Sequence, residues 1–189
     1  MILRSACAAL AALVLFPIAG CTQTETDEAG NTVSGEGTIA MLQGQDGLSA
    51  MASAFETTGL AGIFDGPAAY TVLAPDNAAF ELVDTANPDL SNDERKPLLA
   101  AILRDHILPG AVTPEDIAAS LEDGGSTQMT TMGNTDVTFT RNGDTVIVTG
   151  AEGRKAVIAG EAIRTDNGVV IPVDSLLRST APQEDQTQR

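Results

Sequence analysis

The sequence predicts an α+β fold, with helices gathered early in the domain and strands later. Three observations carry this. Apolar residues recur at helical spacing through the first half. Alternating β-branched stretches replace them in the second. Turn-forming pairs then punctuate those stretches.

The helical half opens with "LSAMASAFETTGL", which sets Leu48, Met51, Ala52 and Phe55 on one face, and Gly59 stops it. "YTVLAPDNAAF" at 70–80 follows. Val72 and Leu73 suit a sheet, Pro75 ends the strand, Asp76 caps a short helix, and Phe80 returns to the core. Ser91 and Glu94 form a capping-box pattern. Pro97 sits too deep for that helix, so a second one is expected near it, carrying Leu98, Leu99, Ile102 and Leu103. "TPED" at 113–116 is another start: Thr113 caps, Pro114 takes the first helical position, and two acids face the positive helix end.

The strand half is "TQMTTM", "DVTFTRNGDTVIVTG" and "KAVIAGEAIRTDNGVVIPVDSLL". "RNGD" signals a hairpin through Asn142-Gly143, and "DNG" at 166–168 signals another. Val169, Val170, Ile171 and Val173 are too apolar for a solvated loop. Pro172 cannot donate to a ladder, so it should face an edge or a bulge.

Bulk composition excludes several functions. The chain has 189 residues, with 26 Asp plus Glu against 10 Lys plus Arg and a net charge of −16. Nucleic-acid binding needs a basic footprint that is absent from the sequence. The acidity favours solubility through self-repulsion. Five Phe, one Tyr and no Trp make stacking platforms sparse.

The N-terminus reads as a secretory signal: Arg4, an uncharged apolar run from Ala6 to Phe16, then small Ala19 and Gly20 before Cys21. The run is too short to span a membrane, which takes ~20 apolar residues. "PIAGC" resembles the lipobox of bacterial lipoproteins. The resemblance implies loss of residues 1–20 and a lipid on Cys21 that anchors the chain to a membrane. The alternative is an ordinary cleaved signal with Cys21 as an incidental thiol. Cys7 lies in the signal, so no internal disulfide or thiol metal cluster is expected. Polar, acidic, Gly-rich residues 21–37 then form a flexible tether, 38–179 one domain, and 180–189 a disordered tail.

Three segments, in order, carry a family resemblance. "YTVLAPDNAAF" resembles the first box of the fasciclin domain through Thr71, Pro75, Asp76, Asn77 and Phe80. "ILRDHILPGAVT" at 102–113 resembles its central Tyr-His segment through His106, Pro109 and Gly110. "IRTDNGVVIPVDSLL" at 163–177 resembles its closing box through Asn167, Gly168 and Asp174. The resemblance covers 38–179. It implies a β-wedge of two sheets with helices packed on one side, the first and last boxes pairing as core strands.

Two positions depart from the family pattern. Asp105 stands where Tyr is usual and Pro172 where His is usual. In some animal relatives the Tyr-His region is linked to integrin binding; with Asp105 in place of Tyr, that activity is not carried over.

His106 is the only histidine. It could act as a general base with Asp105 or Asp76, but a lone histidine beside an apolar helix is more often structural, and the resemblance agrees. One His and no usable Cys leave only carboxylates for a metal, and no calcium-loop pattern is present. Ser126 and Ser175 have no His partner in the sequence, and "DGGST" lacks the lysine of a phosphate loop. Neither catalysis, cofactor nor metal is expected. The sequence thus points to a non-enzymatic, lipid-anchored fasciclin-domain protein of the cell envelope. Its expected place is the outer membrane, facing periplasm or cell surface, with adhesion or contact to an unidentified protein or matrix partner. The alternative is a periplasmic small-ligand-binding module or an accessory to an envelope complex.

Overall fold

A computed structural model describes residues 25–26, 32–33, 35–86, 93, 96–122 and 125–178. In chain order these give β1 (Glu25–Thr26), β2 (Thr32–Val33), α1 (Thr38–Gly44), α2 (Ser49–Thr58), a 3₁₀ turn (Leu60–Asp65), β3 (Tyr70–Pro75), α3 (Asn77–Ala86) and α4 (Lys96–Arg104). Then come β4 (Ile107–Pro109), α5 (Pro114–Glu122), β5 (Ser126–Thr130), β6 (Asp136–Asn142), β7 (Thr145–Thr149), β8 (Lys155–Val157), β9 (Ile163–Thr165) and β10 (Gly168–Val173). The capping-box pattern at Ser91 and Glu94 lies outside the described residues, as do Cys21 and the tail. Helix α4 begins at Lys96 with Pro97 next, where a missing N–H costs no intrahelical bond.

Two sheets organise the chain. One is six-stranded, in the order β1-β2-β9-β10-β3-β4; the other is four-stranded, β5-β6-β7-β8. Strands β3 and β10 pair in parallel from Tyr70–Gly168 to Pro75–Val173, so the first and last boxes are core neighbours. Their apolar runs are nearly continuous because both sheet faces are covered. Val72, Ala74, Ile107 and Val170 face α1, α2, α4 and the 3₁₀ turn, with Phe55 and Phe64 edge to face at 5.2 Å. Leu73, Leu108, Val169, Ile171 and Val173 face Val137, Phe139 and Val148 of the second sheet. Helix α5 is the exception to the one-sided helices: Ile117 and Leu121 join this second core.

Backbone contacts join the sheets as well as this core. Met132 N–H bonds the Ile107 carbonyl, and Ile158 bridges to Val173. Pro172 sits in a central strand yet at a local edge. Tyr70 N–H bonds Asn167 O and Asp76 N–H bonds Val173 O, so by alternation residue 172 points away from β3. On that side the pairing with β9 ends at Val170, opposite Ile163, and the Pro172 carbonyl accepts from Ala159 N–H instead.

Both hairpins form. The first turns through Gly143–Asp144, one residue later than expected, because Asn142 pairs with Thr145. The second turns through Asp166–Asn167. Strands β1 and β2 lie in the stretch 21–37 that composition marks as a tether. Backbone pairing needs no apolar side chains, so composition does not register it.

Candidate functional site

The "PDN" corner after β3 is built from two caps. Asp76 Oδ1 accepts the Ala79 N–H at 2.7 Å, which satisfies a free donor at the start of α3. Asn77 serves a different helix. Leu48 holds the N-cap position of α2 and offers no side-chain cap. Asn77 Oδ1 reaches across 27 positions to the Ala50 N–H at 2.9 Å, while its own N–H bonds Gly47 O at 2.7 Å. Phe80 is buried in the helical core beneath. No local pattern announces Asn77, since it caps a helix distant in sequence.

His106 lies two residues past the end of α4 and is fully buried. The Leu177 N–H donates to Nε2 at 3.0 Å, so Nδ1 carries the proton and donates to Ile102 O at 2.8 Å. The His106 carbonyl accepts from Leu73 N–H at 2.8 Å. One residue thus ties α4, β3 and the C-terminal segment. Burial pulls the imidazole from 6.5 down to about 4; the bond to Ile102 and the charge of Asp105 oppose this and lose. With both nitrogens engaged, neither is open to a substrate.

Asp105 is buried beside it but faces elsewhere. Its Oδ1 accepts from Thr135 Oγ1 and its Oδ2 pairs with Arg178 Nη1, both at 2.8 Å. Arg178 Nε lies 3.6 Å from Glu152 Oε1. Asp76 caps α3, and so the base-and-acid set conceivable from sequence is not assembled. Arg178 escaped the sequence reading. Its signal was indirect: an acid in the apolar run around 102–108 requires a buried cation or donors.

The remaining motif residues are joints too. Thr71 is buried, donates to Gly110 O at 2.8 Å and accepts from Val112 N–H at 2.7 Å, which fixes the Pro109-Gly110 turn against β3. Asn167 Oδ1 accepts from Thr38 N–H at 3.1 Å and Thr38 Oγ1 at 2.7 Å, and its Nδ2 donates to Phe64 O. Asp174 Oδ1 accepts from Val157 N–H at 2.8 Å, linking β10 to the second sheet. At Gly168 a Cβ would lie 2.0 Å from Tyr70 O, so only glycine lets β10 approach β3 here.

Two clefts flank these joints. One of about 330 Å³ lies beside the "PDN" corner, lined by Asp46, Asp76 and Glu161 with Leu48, Ile163 and Pro172. Another of about 250 Å³ adjoins Asp105, Thr135, Glu152 and Arg178. Among the described residues no three His, Cys, Asp or Glu side chains gather as a metal set. No helix among them is long and apolar enough to cross a membrane.

Comparison with known proteins agrees with this geometry. The family model for the fasciclin domain matches residues 46–179. Transforming growth factor-beta-induced protein ig-h3 of pig (Sus scrofa) is 30% identical over 139 residues, covering 72% of this chain. The rabbit (Oryctolagus cuniculus) protein of the same name is 29% identical over 139 residues and the same 72% of this chain. The match spans only 18% of either relative's length. Among solved structures, a fasciclin domain pair from the insect cell adhesion molecule fasciclin I aligns with a TM-score of 0.56 at 23% identity. That alignment covers 69% of this chain and 45% of the insect one, and the likeness concerns the fold alone.

Proposed function

The chain belongs to the fasciclin domain family, and from that premise we propose that it is a non-enzymatic interaction module, held at the cell envelope by a lipid on Cys21. On this reading residues 1–20 are a lipoprotein signal, 21–37 link the anchor to the domain, 38–179 are the fasciclin domain, and 180–189 are a tail. The domain serves adhesion or contact with a protein or matrix partner. Its place is the outer membrane, facing periplasm or surface.

One observation carries the interaction reading: the polar motif side chains are engaged in internal joints. His106 has both nitrogens bonded, Asp76 and Asn77 cap helices, and Thr71 and Asn167 hold turns. A scaffold whose polar groups are spent on shape is suited to presenting a surface. Crosslinking from intact cells through cysteines placed on the domain surface tests this. Recovery of one reproducible protein or matrix partner is expected. Unchanged aggregation and surface attachment after gene deletion would remove adhesion. Palmitate labelling is expected to vanish in Cys21→Ala, and labelling that survives would remove the anchor.

The clefts favour one second reading, a small-ligand module. The larger, about 330 Å³, lies just inside the usual ligand-site range of ~300–1,000 Å³, and the smaller, about 250 Å³, just below it. Purified protein released from its membrane with no small molecule in its mass spectrum would count against it.

A further inference from the structure

The described residues ahead of α1 lie at the edge of the six-stranded sheet. Thr38 is fully buried, and its N–H and hydroxyl are clamped by Asn167. Two residues earlier, the Glu36 carbonyl accepts from Asp166 N–H at 3.3 Å. Further back, Thr32 and Val33 pair in parallel with Ile163 and Arg164 of β9. Beyond them Glu25 and Thr26 pair antiparallel with Val33 and Thr32. These contacts place residues 38, 36, 32–33 and 25–26 at that side of the sheet. Without them β9 would be an open edge, with unpaired N–H and C=O groups along it.

We propose that residues 25–26, 32–33 and 36–38 form a docked strap that closes the β9 edge and holds the domain close against the lipid surface. This deepens the anchored reading above and rests on a lipid at Cys21. Chain lengths show the consequence. A free chain from Cys21 to Thr38 could reach ~60 Å at ~3.5 Å per residue. With the strap docked, only the steps from Cys21 to Glu25 remain, at most ~14 Å. The domain then stands one short segment above the headgroups. Its β1-β2-β9 edge is near the membrane, and β4 with the Pro109-Gly110 turn is the far edge. The acidity of the chain does not forbid this approach, because the Debye length is ~8 Å at physiological salt.

Hydrogen exchange and energy transfer on the lipidated protein in phosphatidylcholine vesicles test the strap. The peptide covering 32–38 is expected to exchange at least ~100-fold more slowly than a free chain. A dye on Asp166→Cys is expected to transfer strongly to a headgroup acceptor. Val33→Pro removes a ladder donor from a strand paired on both sides. It should abolish the protection and weaken the transfer, with the melting of the rest of the domain as the control for folding. Free-chain exchange at 32–38, or transfer unmoved by Val33→Pro despite lost protection, overturns the proposal. If the wild type fails to float with vesicles, the anchor fails and the short stand-off with it. Protection of 32–38 in that unanchored protein would still uphold the edge strap.

Discussion

Two polar sites interrupt apolar stretches of this chain, and they work at different depths. At the 104–107 turn, His106 is fully buried and Asp105 nearly so. Apart from Ile102, four residues before His106, their side-chain partners Leu177, Arg178 and Thr135 lie 30 to 73 positions away. At the 75–77 corner, Asp76 and Asn77 are half-exposed, and they bond helix N-termini that water could also reach. Depth sets the cost of losing each. A buried charge stripped of its partner keeps its full desolvation penalty, whereas an exposed cap group can be partly replaced by water.

The largest effect is expected at Asp105. Asp105→Ala leaves Arg178 with only the longer contact to Glu152, and Thr135 Oγ1 without its acceptor. Arg178 keeps some exposure, so the loss should fall at the lower end of the range for a broken buried pair, roughly 3 kcal/mol in denaturant unfolding. Asp105→Ala with Arg178→Met should recover part of it. If the single variant melts like the wild type, the depth contrast is wrong.

His106 gives a second, pH-resolved test. Its folded value of about 4 lies below the ordinary 6.5, because the neutral ring is the form the core accepts. Between these values the unfolded chain binds the extra proton, so stability rises with pH. The contribution is fully present above pH 6.5 and is lost as the pH falls toward 4, about 3 kcal/mol in all. Unfolding measured at pH 7, 6, 5 and 4 should show it. His106→Gln should flatten that slope while being less stable at pH 7. A slope unchanged in His106→Gln would assign the pH dependence elsewhere.

The depth contrast also separates what the sequence disclosed from what it hid. Asp76 capping α3 and Thr113 opening α5 were legible because donor and acceptor sit three residues apart, inside one turn. The pairing of β3 with β10 was legible only through the family boxes, since parallel partners almost 100 positions apart leave no local mark. Asn77 as a cap for α2, and Arg178 as partner of Asp105, are tertiary bonds between ordinary polar residues. Composition also hid the strands at 25–26 and 32–33, because their bonds are backbone to backbone. What a sequence displays well are short-range bonds and burial patterns; a polar side chain reaching across the fold is specified by the whole core.

At the shallow corner the expected losses are smaller. Asp76→Ala should cost ~1 kcal/mol, the usual price of an N-cap. Asn77→Ala should cost a similar ~1 kcal/mol through α2. The helices differ, yet both start at one corner, so the double variant tests coupling. Additive losses would mean two independent caps; a smaller sum would mean that freeing one helix start already releases the other.

The smallest effect is expected at Asp116, and it sharpens the comparison because it also titrates. Asp116 accepts from Thr113 N–H at 3.0 Å and from Thr113 Oγ1 at 2.9 Å, and Thr113 Oγ1 in turn accepts from Asp116 N–H at 3.2 Å. This reciprocal box holds the carboxyl below its ordinary 3.8, chiefly through the Thr113 backbone bond and then its hydroxyl. A lowered carboxyl and a lowered buried base both favour the deprotonated form on folding, charged in one and neutral in the other, so the sign in stability is the same: the carboxyl's contribution is present above 3.8 and lost as the pH falls below it. The two windows therefore separate, His106 between 6.5 and about 4 and Asp116 beneath. Asp116 is exposed, so solvent screens the interaction and the change should be within a few tenths of a kcal/mol. Asp116→Asn should leave the slope between pH 7 and 4 untouched and shallow only the acid limb below pH 4. A change in the upper window would mean that this surface cap is coupled to the buried joint, which shares the second core through Leu177 and Ile117.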